Sequence, residues 1–304
     1  MKILVTGANG LLGQKLVTKL IDQPEHDLLA TGRGFRRGEE HPALNYQSLD
    51  IEDRQAVLDL LEKERPDTII HTAAMTQVDL CETEQEACQR ANVEAVKHLC
   101  EACQRFGIYL VHVSTDFIFD GEGGPYDESA QPNPISVYGH SKWEGEKVVM
   151  QLEQPWCIIR TGLVYGLTHR MSRTNIVLWA HQSLKEKKEI RVVDDQFRSP
   201  TLSEDLADAC IAAAQRQPCG VFHISGPEIM SVFDMVQRIA AFFGLSTVTL
   251  SRTDSSSLNQ AAKRPPRTGL VIEKAKNELG YAPHKLEEGL AIVQEQMQSI
   301  SLES

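Results

Sequence analysis

The feature that most constrains this chain is its beginning. Lys2 to Thr6 is a short, largely apolar run leading into a turn written TGANGLLG, and Leu11 to Ile21 then repeats apolar residues at helical spacing. This reads as strand, glycine turn, helix; a second strand at Asp27 to Thr31 closes a βαβ unit. Gly7, Gly10 and Gly13 stand three residues apart. Glycine lets a backbone turn tightly and come close to a pyrophosphate, whose charge rests on free N–H groups at a helix N-terminus. One such glycine could merely turn the chain. Three directly after an N-terminal strand favour a dinucleotide site, with Asn9, Leu11 and Leu12 in the same turn.

The alternation continues. Helices are predicted over Asp53 to Glu64, Glu84 to Phe106 and about Val137 to Leu152, and strands over Thr68 to His71, Tyr109 to Ser114 and Cys157 to Arg160. Strand and helix taking turns imply an α/β fold, a Rossmann-type doubly wound parallel sheet covered on both faces. Beyond about residue 165 the pattern loosens. It predicts a helical stretch near Trp179 to Lys188, a strand at Ile190 to Val193, a helix over Ser203 to Gln215, a strand at Val221 to Ile224 and a helix over Val232 to Phe243. The expected division is a dinucleotide-binding domain over 1–165 and a smaller α/β substrate domain occupying most of 166–304, with later segments free to return to the first. The stretch SRTDSSSLNQAAKRPPRTGL reads as a loop that could close over a ligand, and the polar tail Gln294 to Ser304 is expected to fray.

Composition narrows the class. A net charge of −11 argues against nucleic acid or an anionic membrane as the main partner, while leaving room for a local phosphate-binding patch. Glycines interrupt the first ten residues where a signal peptide needs an apolar stretch, and no run of about 18 apolar residues occurs further on, which predicts a cytosolic protein. The 7 cysteines lack a second C-x-x-C or a His pair, so reduced structural thiols are expected and no metal site is assigned.

The residues just past the second strand bear on cofactor choice. An acid there would bond the adenosine ribose, whereas arginine accommodates a 2′-phosphate. The chain has Arg33, Phe35, Arg36 and Arg37 and no acid between them, which favours NADP(H) over NAD(H); a solvated basic loop is the plainer alternative. Asp50 and Ile51, after a short strand, would sit beside the adenine unless Asp50 only shapes a turn.

The strand ending Ser114-Thr115-Asp116 points its carboxyl end at the ligand crevice of an open α/β sheet. Tyr138 and Lys142, four apart, share one helix face. Hydride transfer to a carbonyl creates an alkoxide needing a proton and a hydrogen-bond donor. Tyr138 would give the proton, Thr115 would hold the oxygen, and Lys142 would bind the nicotinamide ribose and lower the phenol from about 10 by roughly 1 to 3 units. Alone, Tyr138 could equally be a packed aromatic at a helix start.

Together these residues resemble the extended short-chain dehydrogenase/reductases across essentially the whole chain, and within them the dTDP-4-dehydrorhamnose reductase family. The stretches that carry the resemblance are TGANGLLG, HTAAMTQVDLCE (71–82), STDFIFDG (114–121), VYGHSKWEGEK (137–147), RTGLVYG (160–166), DDQFRSPT (194–201) and KRPPRTGL (263–270). The resemblance implies reduction of a 4-keto nucleotide-diphospho-sugar with NAD(P)H. It places Thr76, Val78, Asp79, Asp116 and the stretch Gln196 to Thr201 near the substrate cleft, with Arg264 or Arg267 near the substrate phosphates. It also allows a homodimer and Mg²⁺ at a dimer contact.

The chain is similar, too, to the regulatory beta subunits of methionine adenosyltransferase, which bind NADP; GFRR at 34–37 matches them closely. That likeness implies cofactor contacts at Asp50, Ile51, Thr72, Thr76 and Val164, with Ala73 and Ala74 in the same stretch. Two positions depart from the rhamnose reductases, Leu163 replacing a tryptophan and Arg198 a glycine, both where the sugar nucleotide would touch. The leading expectation is dTDP-4-dehydrorhamnose reduction, in dTDP-L-rhamnose biosynthesis. The rivals are an NADP-holding regulatory subunit and a nucleotide-sugar epimerase or dehydratase.

Overall fold

The computed structural model describes residues 1–38, 41–42, 44–171 and 173–303. The chain opens with β1 (Lys2–Thr6), α1 (Leu11–Ile21), β2 (Asp27–Gly32), β3 (Asn45–Ser48), α2 (Arg54–Glu64) and β4 (Thr68–His71). It continues through α3 (Val78–Thr83), α4 (Gln85–Gln89), a π-helical turn (Arg90–Glu94), α5 (Ala95–Phe106), β5 (Tyr109–Thr115), α6 (Val137–Val149) and β6 (Trp156–Thr161). The rest comprises β7 (Val164–Tyr165), α7 (Ile176–Lys185), β8 (Ile190–Val193), β9 (Phe197–Arg198), β10 (Thr201–Leu202), α8 (Ser203–Arg216) and β11 (Gly220–Ile224). After these come β12 (Met230–Ser231), α9 (Val232–Phe242), β13 (Leu250–Thr253), α10 (Glu273–Leu279) and α11 (Leu286–Glu303).

Among the described residues, seven strands form one sheet in the order β11-β6-β5-β4-β1-β2-β3, and every neighbouring pair runs parallel. This is the doubly wound arrangement that the alternation predicts. Side chains alternate between the faces of a strand. Ile3 and Val5 therefore join the core beneath α1, α8 and α10, while Leu4 joins the opposite core beneath α2 and α5. A third core gathers Tyr165, Val177, Leu184, Val192, Phe233, Val236, Leu286 and Leu290 around α7, α9 and α11. The late segments β11 and α8 complete the first layer: β11 pairs with β6, and Leu206, Cys210 and Ala214 pack in the same core as Leu16 and Leu20.

Local departures from the sequence pattern have physical reasons. The single helix expected over 84–106 contains a π turn, which lets the buried Asn92 side chain bond both the N–H and the carbonyl of Met75 at 2.8 and 2.9 Å. The start of the expected 251–270 loop is strand β13, whose Leu250 to Thr253 register with Ile190 to Val193. The tail expected to fray continues α11 through Glu303, with Ser304 outside the described residues. All 7 cysteines are free. No helix among the described residues is long and apolar enough to cross a membrane.

Candidate active site

Helix α6 starts where Ser136 accepts a bond from the Gly139 N–H at 3.1 Å. Its close approach to the turn Asp116–Ile118, just after β5, depends on Gly139, since a Cβ there would lie 2.3 Å from the Phe117 carbonyl oxygen. Two residues end up deeply enclosed on this face: Tyr138 is 8% and Lys142 2% exposed. The Thr115 hydroxyl, at the end of β5, stands close enough to the Tyr138 phenol to act on its titration, while it donates to Asp116 Oδ1 and accepts from the Phe117 N–H, each at 3.2 Å. Lys142 Nζ donates to the Val113 carbonyl at 2.9 Å, two residues back on the same strand. The structure thus gathers Thr115, Tyr138 and Lys142 at one strand end.

Electrostatics here differ from the expected net lowering of the phenol. Burial pushes Tyr138 up, the Thr115 hydrogen bond pulls it down and the Asp116 charge raises it again. The phenol therefore stays protonated through neutral pH. Burial pushes Lys142 down to about 8, opposed by the Glu146 carboxylate.

Asp116 is 2% exposed, and burial raises its carboxyl against the pull of Arg198 and its hydrogen bonds from Thr268 and Thr115. Arg198 lies with its guanidinium carbon 5.5 Å from the centre of the Phe117 ring and donates to Gln196 Oε1 at 3.1 Å and to the Phe197 carbonyl at 2.7 Å. Leu163 takes a left-handed backbone, φ +40°, uncommon for a residue with a branched side chain. Asp79 is bound by Arg264 through two bonds of 3.1 and 2.6 Å, so two residues expected to face the substrate engage each other. Arg267 stacks over Phe197 at 5.3 Å, Thr76 Oγ1 accepts from Arg173 at 2.6 Å, and Val78 packs near Tyr138.

The glycine turn fits a dinucleotide. Gly7 has φ +71°, and a Cβ on Gly13 would lie 2.2 Å from the Gly7 carbonyl oxygen, so only glycine holds this turn. Gly10, the N-cap of α1, offers no side chain to the first N–H groups of the helix, Leu11 and Leu12 opening it. Asn9 clamps the turn to the arginine loop: its Nδ2 donates to the Arg33 and Phe35 carbonyls at 3.2 and 3.1 Å, and its Oδ1 accepts from the Arg37 N–H at 2.9 Å. Phe35 is 96% exposed. A cavity of about 350 Å³ beside the turn is lined by Gln14, Arg36, Gly38, Tyr46, Thr168 and His169. Thr72 donates to the Thr6 carbonyl at 2.7 Å and Ala73 lies alongside Gly7, with Ala74 next in the chain beyond β4. Asp50 Oδ1 accepts from the Glu52 N–H at 3.0 Å, Ile51 is buried in the core under α2, and Val164 pairs with Thr201. Among the described residues no group of three or more metal-ligating side chains assembles.

A protein-family model described as the RmlD substrate binding domain matches residues 1–299. The chain belongs to this family. It is 32% identical to a spore coat polysaccharide biosynthesis protein, SpsK, of Bacillus subtilis, covering 95% of each chain. It is 30% identical to methionine adenosyltransferase 2 subunit beta of Bos taurus, over 87% of this chain and 78% of that protein. Its fold matches a dTDP-4-dehydrorhamnose reductase from Bacillus anthracis, solved in complex with NADP, with a TM-score of 0.85 and 30% identity over 97% of this chain and 99% of that one. RmlD-family membership makes this an NAD(P)H-dependent oxidoreductase of the extended short-chain dehydrogenase/reductase type.

In this RmlD-family chain further buried polar residues, not singled out in the sequence reading, stand behind the first set. Glu146, fully buried one turn after Lys142, takes two bonds from Arg160 Nε and one from Nη2 at 2.7 Å, and another from Ser114. Ser141 donates to the Tyr138 carbonyl at 2.8 Å and accepts from Asn92 at 2.9 Å. Their signal is present as polar residues inside apolar runs: His112 in YLVHV, Arg160 in CIIRT, Glu146 on the inner face of α6. Buried polar groups persist only when paired.

Proposed function

We propose that the chain is an NADP(H)-dependent reductase of a 4-keto nucleotide-diphospho-sugar, with dTDP-4-dehydro-L-rhamnose as the leading substrate. The observation that carries this reading is the enclosed Tyr138 phenol against Thr115, with Lys142 one turn along the same helix. When bound, the nicotinamide supplies a hydride to the carbonyl carbon. Tyr138 gives its proton to the oxygen, and the Thr115 hydroxyl steadies that oxygen while charge grows on it. Lys142, one turn along the helix, would balance the phenolate left behind. Arg33, Arg36 and Arg37 supply positive charge beyond β2 for a 2′-phosphate. Residues 1–165 would bind the cofactor and most of 166–304 the sugar nucleotide, in the cytosol.

Purified protein, NADPH and dTDP-4-dehydro-L-rhamnose should give cofactor oxidation, and Tyr138→Phe should remove most of the rate while NADPH still binds. Normal turnover by Tyr138→Phe would overturn the mechanism. A second reading, an NADP-holding regulatory subunit, is supported by the likeness to methionine adenosyltransferase 2 subunit beta and by the GFRR run. Recovery of a methionine adenosyltransferase in a pull-down, with no activity on a panel of keto sugars, would favour it.

A further inference from the structure

A row of polar side chains crosses the sheet beneath the reaction centre. Thr6 Oγ1 on β1 lies 2.7 Å from His71 Nδ1 on β4. His71 is the register partner of His112 on β5, and the two rings stack with centroids 5.3 Å apart and planes at 29°. His112, fully buried, then turns Nε2 to within 3.4 Å of Lys142 Nζ. Among the described residues, this contact is the one hydrogen bond its ring makes, since Nδ1 has no protein partner.

We propose that His112 is a positioning residue for Lys142: its bare Nε2 accepts from the ammonium, and together with the Val113 carbonyl it fixes where that charge stands beside β5. An ammonium has three protons and no acceptor. Val113 and His112 take two of them, which aims the third away from the strand. The stack supplies the rigidity, because Thr6 pins His71 and His71 backs the His112 ring. Burial first, and then the Lys142 charge, hold both imidazoles well below their ordinary value, His71 at about 3, so His112 is neutral and able to accept wherever the enzyme works.

The charged and titratable groups around Lys142 are few. On its own helix are Tyr138 and Glu146; from α4 comes Cys88; from the sheet come His112, His71 behind it, and Arg160, which is paired to Glu146. Removing a neutral acceptor from an ammonium disfavours its charged form, so losing His112 shifts Lys142 toward lower pH.

The inference rests on the reductase reading for its purpose, but its test does not. NADPH affinity, followed by fluorescence from pH 6 to pH 10, should weaken as Lys142 loses its proton near pH 8. In His112→Leu the midpoint should move to lower pH by at least about half a unit, and affinity at pH 7.5 should fall by about 1.5-fold or more. His112→Gln, which returns an acceptor oxygen, should restore both. An unmoved midpoint in a folded His112→Leu, or a His112→Gln that behaves like the leucine variant, would overturn the proposal. Should His112→Leu fail to fold, ¹⁵N spectra of the wild-type protein decide: an unprotonated Nε2 beside a protonated Nδ1 supports it, and a protonated Nε2 overturns it. If these results hold while no keto sugar is reduced, the reductase reading fails and the role of His112 stands.

Discussion

Asp79, at the start of α3, and Arg264, in the segment after β13, meet through two N–H···O bonds across 185 residues of sequence. The Ala262 N–H adds a third bond to the same carboxylate at 3.0 Å, and the Ser255 N–H and hydroxyl bind Asp195 nearby. A segment without a hydrophobic core of its own is thus tied down mainly by ion pair and hydrogen bond. Asp79→Ala should leave the melting temperature nearly unchanged, since a partly exposed pair contributes about 1 kcal/mol or less. It should also speed proteolytic cutting between 258 and 268 and raise KM for the sugar nucleotide several-fold. Equal cutting rates in variant and wild type would refute this.

The same pair carries a pH dependence. Arg264 holds the Asp79 carboxyl below its ordinary 3.8, so its contribution is full above that value and lost as pH falls through the lower folded one. Protection of the segment from an acid-active protease should hold at pH 5 and weaken below about pH 3.8; protection that weakens instead toward alkaline pH would contradict this sign.

Glu146 and Arg160 form an ion pair at 2.7 Å with side chains 0% and 3% exposed. Breaking one side leaves the other charge buried, which costs about 3–5 kcal/mol. Glu146→Ala should therefore lower the urea midpoint markedly, whereas Glu62→Ala, which removes an exposed partner of Arg105, should barely move it. Similar midpoints for the two variants would show that the inner pair is not a structural support.

Gly13→Ala places a methyl 2.2 Å from a backbone oxygen that cannot swing aside. The turn must open, and NADPH affinity should drop more than tenfold, read by the same fluorescence titration. Gly107→Ala is the control for position: nothing lies within 4 Å of its added Cβ, and although its φ of +68° makes it cost stability, cofactor affinity should stay near wild type.

Arg36→Ala with Arg37→Ala should weaken NADPH by roughly tenfold, about 1.4 kcal/mol, and leave NADH little changed, with the difference shrinking in high salt. Equal losses for both cofactors would assign the arginines to the pyrophosphate rather than the 2′-phosphate.

Much of this fold is legible in the sequence because its code is local. Apolar runs and glycine turns mark β1, α1, β2 and β5 within a residue or two, and helical spacing places Tyr138 and Lys142 on one face. The hidden features depend on distant partners. The π turn at Arg90–Glu94 is visible only once Asn92 is seen to bond Met75 and Ser141 together. Asp79 and Arg264 each read as a substrate contact because nothing in either neighbourhood names the other. Short strands such as β9 and β12, two residues each, are defined by pairing rather than by pattern. His112 reads as an interruption of a buried strand, and only the neighbouring strand and helix give its ring a place.

The position of β11 and α8 also governs how the chain is made. A ribosome delivers β6 before the residues that cover it, and the interval from Thr161 to Ile224 takes about 3 to 13 seconds at ordinary rates of synthesis. Through that interval β6 presents a bare edge and the outer side of α1 lacks the apolar helix that will lie on it. Until β11 is made, the edge of β6 that it will occupy has no strand of this chain to pair with.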